Sequence, residues 1–524
     1  MNGNLSWALE RAVRLEPDKV AVIDGERRLT YRELDERVSG LDAGLARLGV
    51  AGGDVVGVLS LNSHQHLECW LGIPRGGAVL NDLNIRLAPA ELQFILQDAD
   101  TVALVVDDAF LEAGRLLAGD TPTIEHLIYA GAGEAPDGTV DYEELVGGGG
   151  RPAPTIADDA LAGIFYTGGT TGRPKGAMLS HANLVANAKH VLLAFDYSLE
   201  DRYLHGAPMF HLADGATTYS LTWACGTHVI VSAFDPTRVA QAIERERVTI
   251  STLVPTMINM MINLPDLERY DLSSLRRIHY GASPMPAEIL RNAMDKLGCE
   301  WAQAYGMTEA APLVTICPAE DHRRGAAGEE PYATRMRSAG RPVVGVQAEV
   351  RRADGTRADV AEPGEVWVRG PNVMQGYWRR EEETAAALDA EGWYHTGDVA
   401  YEDADGYIYI VDRVKDMIIS GGENVYSTEV EDAIHAHPAV LEVAVFGVPD
   451  ERFGERVHAV VVLHEGALAT EEDIVACCRE RIAGYKLPRS LDFQTEPLPK
   501  SGAGKVLKRD LREPHWVGME RRVS

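Results

Sequence analysis

Three stretches of this sequence gather residues that could do chemistry on an anion. From Tyr166 to His181 the chain reads YTGGTTGRPKGAMLSH, with Thr167, Gly168, Gly169, Thr170 and Thr171 ahead of a lone Lys175. Glycines let the backbone turn tightly and approach an anion, and threonine hydroxyls and amide N–H groups can donate to phosphate oxygens. Lys175 adds a point charge. A second stretch, YGMTE at Tyr305–Glu309, sets a ring beside a glycine and a lone carboxylate in an apolar-flanked run. A tyrosine next to glycine can offer a ring face to a purine. A buried glutamate needs a partner, and Mg²⁺ suits it as a hard cation taking carboxylate and phosphate oxygens. A third, KSGAGKVLKRDL, puts Lys505 in a turn that leads into a helix. Each stretch taken alone has a plainer reading: a surface loop, a core tyrosine, a solvated glutamate, an exposed lysine.

Several familiar motifs fail in detail. A Walker loop needs Gly before the lysine and Ser or Thr after it; here Pro174 precedes Lys175 and Gly176 follows. The G-x-G-x-x-G dinucleotide spacing is absent. GASPM matches a hydrolase nucleophile elbow only until Met285, which stands where Gly is required. There is no HExxH and no metal-ligand cluster in the sequence.

Composition narrows the setting. A chain of 524 residues is expected to form two or more domains. The formal net charge of −29 argues against nucleic acid or an anionic membrane as the main partner. A local cluster of N–H groups and lysines can still hold a small anion. No apolar run is long enough to span a bilayer. The N-terminus lacks the basic and apolar regions of a signal peptide. The six cysteines show neither CxxC nor zinc spacing, so reduced thiols in a cytoplasmic protein are expected.

The elements that must position these residues read as alternating strands and helices. KVAVID, DVVGVLS and TVALVVDD are strands. TYRELDERVSGLDAGLARLG is a helix capped by Thr30 and Glu33 and stopped near Gly49. AGIFYT and THVIVSAF continue the pattern after a glycine-rich surface loop at Gly147–Gly150. Such alternation predicts an α/β fold of mainly parallel, helix-covered sheets. From about 340 to 411, AEVRRADGTRA, GEVWVRG and GYIYIVDR read as a β-rich subdomain. Beyond Arg413 a helix, two strands and a further helix read as a small α+β domain. The expected division is 1–412 and 413–524.

The glycine loop resembles the phosphate loop of the adenylate-forming (AMP-binding) superfamily. That superfamily includes acyl-CoA synthetases, coumarate–CoA ligases, beetle luciferases and the adenylation domains of peptide synthetases. The resemblance extends, in the family's order, through YGMTE, GWYHTGD, IVDRVKDMIISGGENVYSTEVE and PLPKSGAGKVLKRDLR, and so covers most of the chain. It implies that Thr167, Gly168, Gly169, Thr170, Thr171 and Lys175 hold the β- and γ-phosphates of ATP. Gly168–Gly169 departs from the commoner Ser-Gly, which removes one hydroxyl donor. Gly281, Ala282 and Ser283 would form one adenine wall, and Gln303, Ala304, Tyr305 and Gly306 the other. Thr308 would reach the α-phosphate, and Glu309 with Thr167 would bind Mg²⁺. Asp398 would accept from the ribose hydroxyls, with Arg413 as a second ribose or phosphate contact.

In the same resemblance Lys415 is the hinge of a mobile C-terminal lid, and Gly421, Gly422 and Glu423 form the CoA-side loop. Lys505 would touch the substrate carboxylate and the α-phosphate, while Lys508 reads as an ordinary exposed lysine. His211 would line the acyl pocket and thiol tunnel. The implied activity is an ATP-dependent acyl- or aryl-CoA synthetase using ATP, Mg²⁺ and CoA on a fatty or aromatic carboxylic acid. Two alternatives stay open: delivery of the acyl group to a carrier protein or a nitrogen nucleophile, and an inactive nucleotide-binding regulator. A homodimer is left open. The acid itself is not legible. Pocket walls are expected around His211–Thr217, Pro255–Met257, Gly281–Ser283 and Gly306–Met307, and the small Gly215, Ala216, Ala224 and Gly226 suggest space there.

Overall fold

The computed structural model describes residues 4–167, 173–283, 285, 287–421, 423–450, 452–500 and 506–517. The chain forms two compact units. One comprises Met1–Ala348 with Val368–Tyr394, the other Glu349–Trp367 with His395–Ser524. The β-rich stretch is therefore divided between the two units, with residues 349–367 and 395–411 grouping with the C-terminal residues.

The first unit is built on a nine-stranded and an eight-stranded sheet. In the nine-stranded sheet the central strands run parallel, with Ile250–Leu253, Arg277–Gly281 and Glu300–Gly306 as consecutive neighbours. In the eight-stranded sheet Val55–Leu59 lies between Val79–Asp82 and Thr101–Val106, again in parallel. Helices cover these strands because the strand interiors are apolar on both faces, as parallel sheets require. One large core lies under the nine-stranded sheet and includes Leu204, Val229, Ile258, Ile278, Tyr280 and Trp301.

The local signals in the sequence act as expected. The helix Tyr31–Arg47 begins at a capping box in which the Thr30 side chain accepts from Glu33 N–H and the Glu33 carboxylate accepts from Thr30 N–H. Leu34, Val38, Leu41 and Leu45 form its buried stripe. Two strands give no comparable signal. Arg27–Thr30 is a short edge strand with two exposed arginines, and Val79–Asp82 ends on polar residues. Both are strands because a neighbour supplies the ladder, not because the sequence alternates.

The second unit contains a four-stranded sheet made of Gln347–Arg351, Gly364–Arg369, Tyr394–Glu402 and Ile408–Arg413. Its other sheet pairs Val440–Asp450 antiparallel with Gly454–Leu463, which in turn pairs in parallel with Ser490–Gln494. Among the described residues no helix is long and apolar enough to cross a membrane. All six cysteines are free thiols.

One buried polar group ties the nine-stranded sheet to pH. The Tyr280 hydroxyl lies 2.9 Å from His322 Nε2, and His322 Nδ1 lies 3.0 Å from the Pro318 carbonyl. The carbonyl can only accept, so the neutral tautomer carries its proton on Nδ1. Burial pushes the His322 pKa down to about 4 from its ordinary 6.5. The stability this neutral imidazole contributes is complete above pH 6.5 and is lost as the pH falls towards 4. A single such group can tilt stability by at most about 1.4 kcal/mol per pH unit. Replacing it, His322→Asn, should lower the melting temperature at pH 7.5 yet flatten its fall between pH 6.5 and 4.5. An unchanged slope would show that His322 does not carry the proton.

Candidate active site

The glycine loop joins two antiparallel strands, Leu161–Thr167 and Lys175–Ser180. Their register sets Thr167 opposite Lys175, so both stand at the mouth of a hairpin. A strand, not a helix, follows the loop, which separates it structurally from a Walker loop. Gly168, Gly169, Thr170 and Thr171 lie outside the described residues. Tyr166 anchors the incoming strand by donating to Asp98 at 2.7 Å.

Across from this hairpin mouth stands Glu309, only 8 % exposed, in the short turn Thr308–Ala310. The Tyr377 hydroxyl donates to Glu309 Oε1 at 2.9 Å. Burial and the facing Glu309 carboxylate push the Tyr377 pKa up, so the phenol keeps its proton and its donor role. The Lys175 ammonium sits 5.3 Å from the centroid of the same ring. Tyr377 therefore links the loop lysine to the buried carboxylate. Its backbone is held by pairing with Ala177 on the strand that carries Lys175. Met374 N–H donates to the Glu309 carbonyl at 2.8 Å, and buried Asn372 donates to the Ala310 and Leu313 carbonyls at 2.6 and 3.0 Å. None of Asn372, Met374 and Tyr377 was identified from the sequence. NVMQGYW has no spacing that points to Glu309, some 65 residues upstream; only the fold brings them together.

The two expected adenine walls are neighbouring strand ends. Gly281 pairs with Ala304 and Tyr280 with Gln303 in a parallel register. That register leaves no room at Gly281: a Cβ there would lie 2.2 Å from the Ala304 carbonyl oxygen. Gly306 is equally constrained, with the Pro312 carbonyl oxygen 1.9 Å from its would-be Cβ. Ala282 adopts φ +66, a left-handed conformation that a non-glycine residue holds at a cost of about 1 kcal/mol or more. Ser283 and Tyr305 are half-buried. His211 stands at the start of the short helix Leu212–Gly215, its ring 4.4 Å from that of Phe210.

At Gly215, Ala216 and Gly226, near His211, the structure shows close packing rather than the space that their small size suggested. A Cβ on Gly215 would lie 2.2 Å from both Met209 O and the Trp70 ring, and one on Gly226 would lie 2.4 Å from Leu221. Ala216 is buried. These residues are small because helices and loops pack closely over them.

In the second unit Asp398 and Arg413 face each other across an antiparallel ladder, with Arg413 Nε 3.5 Å from Asp398 Oδ1. Thr396 Oγ1 accepts from Asp398 N–H at 3.0 Å, and the Thr396 hydroxyl donates in turn to the Val366 carbonyl. Lys415 follows directly, and its carbonyl accepts from Arg512 at 3.4 Å. Gly421 has φ +65 and lies in the turn between Ile418–Ser420 and Glu423–Val425, which pair with Ser420 opposite Glu423. Gly421 N–H donates to the Phe453 carbonyl at 2.8 Å. Gly422 and Lys505 lie outside the described residues.

Lys508 corrects the expectation of an exposed lysine. Its ammonium is largely buried, 2.8 Å from Glu431 and 2.6 Å from Ser427 Oγ. Ser427 Oγ in turn lies 3.0 Å from Asp412 Oδ1. Burial pulls the Lys508 pKa down, but the Glu431 and Asp412 carboxylates outweigh it and the net shift is upward.

Comparison with known proteins places this geometry. The profile of the AMP-binding enzyme family matches residues 9–378, and that of the AMP-binding enzyme C-terminal domain matches 429–505. The chain belongs to the AMP-binding enzyme family. A feruloyl-CoA synthase from Amycolatopsis sp is 41 % identical over 510 residues, covering 97 % of this chain and 98 % of that protein. An indoleacetate–CoA ligase from Aromatoleum aromaticum is 37 % identical over 97 % of this chain and 98 % of its own. The crystal structure of ATP-bound MatB from Rhodopseudomonas palustris matches with a TM-score of 0.87 at 30 % identity, covering 98 % of this chain and 99 % of that one. The α/β fold with its β-rich region and C-terminal domain is thus the adenylate-forming enzyme fold.

Tyr377 supplies a direct test of the site. Tyr377→Phe removes the hydroxyl that donates to Glu309 and keeps the ring under Lys175. A hydrogen bond to a charged group contributes about 1.5–3 kcal/mol. Pyrophosphate release should fall by about tenfold or more, and the melting temperature should drop by only about a few degrees. A variant as active as the parent would remove Tyr377 from the site.

Proposed function

We propose that this ATP-dependent acid–CoA ligase activates an aromatic carboxylic acid. The chain is an AMP-forming ligase with ATP and CoA as co-substrates, as its homology to acid–CoA ligases over nearly its whole length establishes. The aromatic preference is our reading. It is supported by the names of two relatives, which act on ferulate and indoleacetate, both planar ring acids carrying a side-chain carboxylate.

The observation that carries the catalytic reading is the meeting of Lys175, Tyr377 and Glu309 at the mouth of the glycine hairpin. There the loop and Lys175 would take the β- and γ-phosphates. Glu309 fits a hard divalent cation: it is a buried carboxylate, and a carboxylate has lone pairs beyond the one that accepts from Tyr377. Glu309, with the Thr167 hydroxyl, would hold Mg²⁺, which when bound offsets phosphate charge. The strand ends at Gly281–Ser283 and Gln303–Gly306 would flank the adenine, and Thr308 would reach the α-phosphate. Asp398 would accept from the ribose hydroxyls, with Arg413 beside it.

The chemistry then runs in two steps. A carboxylate oxygen attacks the α-phosphorus, and the bond to the β-phosphate oxygen breaks, releasing pyrophosphate and leaving acyl-AMP. The CoA sulfur next attacks the acyl carbon; its proton is lost to solvent and AMP leaves. A CoA thiol already ionises partly near neutral pH, so His211 need only line the acyl group and thiol path. We read 1–412 and 413–524 as the functional division, with Lys415 as hinge and Gly421–Glu423 on the thiol side. A cytoplasmic location accords with the free cysteines.

Two measurements test this. A panel containing ferulate, indoleacetate, 4-hydroxybutyrate and long-chain fatty acids should give the fastest pyrophosphate release with an aromatic acid, and AMP release that depends on CoA. A fatty acid preferred over every aromatic one would overturn the substrate reading. Lys505→Ala should lose about two to three orders of magnitude when started from acid and ATP, because two anions then meet uncompensated. Given synthetic acyl-AMP and CoA, it should retain most of the parent rate. Equal loss from both starting points would assign Lys505 a structural role instead.

A further inference from the structure

The second unit carries a cluster of metal-ligating side chains that the ligase reaction does not use. His458 lies on the strand Gly454–Leu463 and is 3 % exposed. The neighbouring strand runs parallel with His458 opposite Ser490, so Ser490 and Asp492, two residues apart, lie on the same side. The short helix Glu513–Trp516 brings His515 to that side, its ring 4.9 Å from that of His458. The helix is fixed there by Trp516 Nε1, which donates to the Gly447 carbonyl at 3.0 Å, and by the Phe446 ring, 5.8 Å from His515.

The orientation of His458 is what points to a ligand. Its Nδ1 lies 2.8 Å from Ser490 Oγ. The tautomer with its proton on Nδ1 donates to that hydroxyl and leaves a lone pair on Nε2. Nε2 is buried with no hydrogen-bond partner, and the Asp492 carboxylate is 3.5 Å away. A hydrogen bond at one ring nitrogen that aims the other at a shared point is the usual support of a metal-bound imidazole. One nitrogen each from His458 and His515 and one oxygen from Asp492 all lie within 4.8 Å of one another.

We propose that His458, Asp492 and His515 form a binding site for a divalent transition cation of the zinc class. Two imidazoles and a carboxylate are a zinc-type donor set with room for a water as fourth ligand. Ligands about 2.0–2.2 Å from such an ion stand roughly 3.4 Å apart, so the cluster closes by about 1 Å on binding. Asp492, with 67 % of its side chain exposed, is free to make that movement. The bound ion would fasten the strand Ser490–Gln494 and the helix Glu513–Trp516 to the sheet.

The test uses the untagged full chain stripped with chelator and titrated with Co²⁺ and Zn²⁺. The parent should bind one more equivalent of Co²⁺ than His515→Ala or Asp492→Asn, or bind that equivalent about 100-fold more tightly. Zn²⁺ should raise the parent's melting temperature by several degrees and leave that of either variant within about one degree. Mg²⁺-dependent pyrophosphate release should be the same in all three, which separates this site from Glu309. Equal stoichiometry and affinity in the parent and in either variant, or no Zn²⁺ shift in the parent, would overturn the site.

Discussion

A carboxylate taken out of water needs a partner, and Glu309, beside the glycine hairpin, is one of the buried carboxylates of the first unit. Meeting that need ties together the segments around the hairpin. The Tyr377 hydroxyl is such a partner, and Tyr377 can reach only because its backbone pairs with the strand that leaves the loop. Asn372 and Met374 fasten the same turn through its carbonyls and its backbone. One hydrogen bond thus couples three segments far apart in sequence: the hairpin, the Thr308–Ala310 turn and residues 372–378. The position of Lys175 over the Tyr377 ring follows from the same pairing.

The second unit uses buried charge differently. Lys508, Glu431, Ser427 and Asp412 form a chain of contacts that ends one residue before Arg413. An ion pair of this kind adds little stability compared with apolar packing, but losing one member leaves a charge stranded at about 3–5 kcal/mol. Its value is therefore positional. It fixes the helix Ser427–His435 and the helix Lys508–Arg512 against the strand end that carries Arg413. Arg512 reinforces this by pairing with Asp416 at 3.2 Å. Two lysines three residues apart in one motif thus serve different ends: Lys508 is a buried tie, whereas Lys505 is the proposed catalytic cation.

Glycine has three separate meanings in this chain. At Gly281 and Gly306 a neighbouring carbonyl occupies the place of a side chain, and the strand ends of the proposed adenine site can close only with glycine there. At Gly421 the left-handed backbone makes a hairpin turn. At Gly215 and Gly226 the missing side chain is filled by Trp70, Met209 and Leu221, so smallness there serves packing rather than substrate. Sequence presents all five alike.

Local order determined much of what the sequence showed. The capping box at Thr30 and Glu33, the buried stripe of that helix, the parallel α/β alternation and the β-rich stretch depend on neighbours within a few residues, so they were legible directly. The ordered run of motifs carried the family and its chemistry for the same reason. What the sequence could not decide were facts of approach between distant segments. Tyr377 at Glu309, the register that crowds Gly281 against Ala304, the burial of Lys508 and the His458, Asp492 and His515 cluster all join residues from separate elements. Val79–Asp82 became a strand only because the sheet supplied partners on both sides. Local propensity contributes fractions of a kcal/mol per residue, whereas burying a charge or filling a cavity is decided by several kcal/mol of packing and desolvation. Packing and desolvation of that size act only once the tertiary structure has brought the segments together.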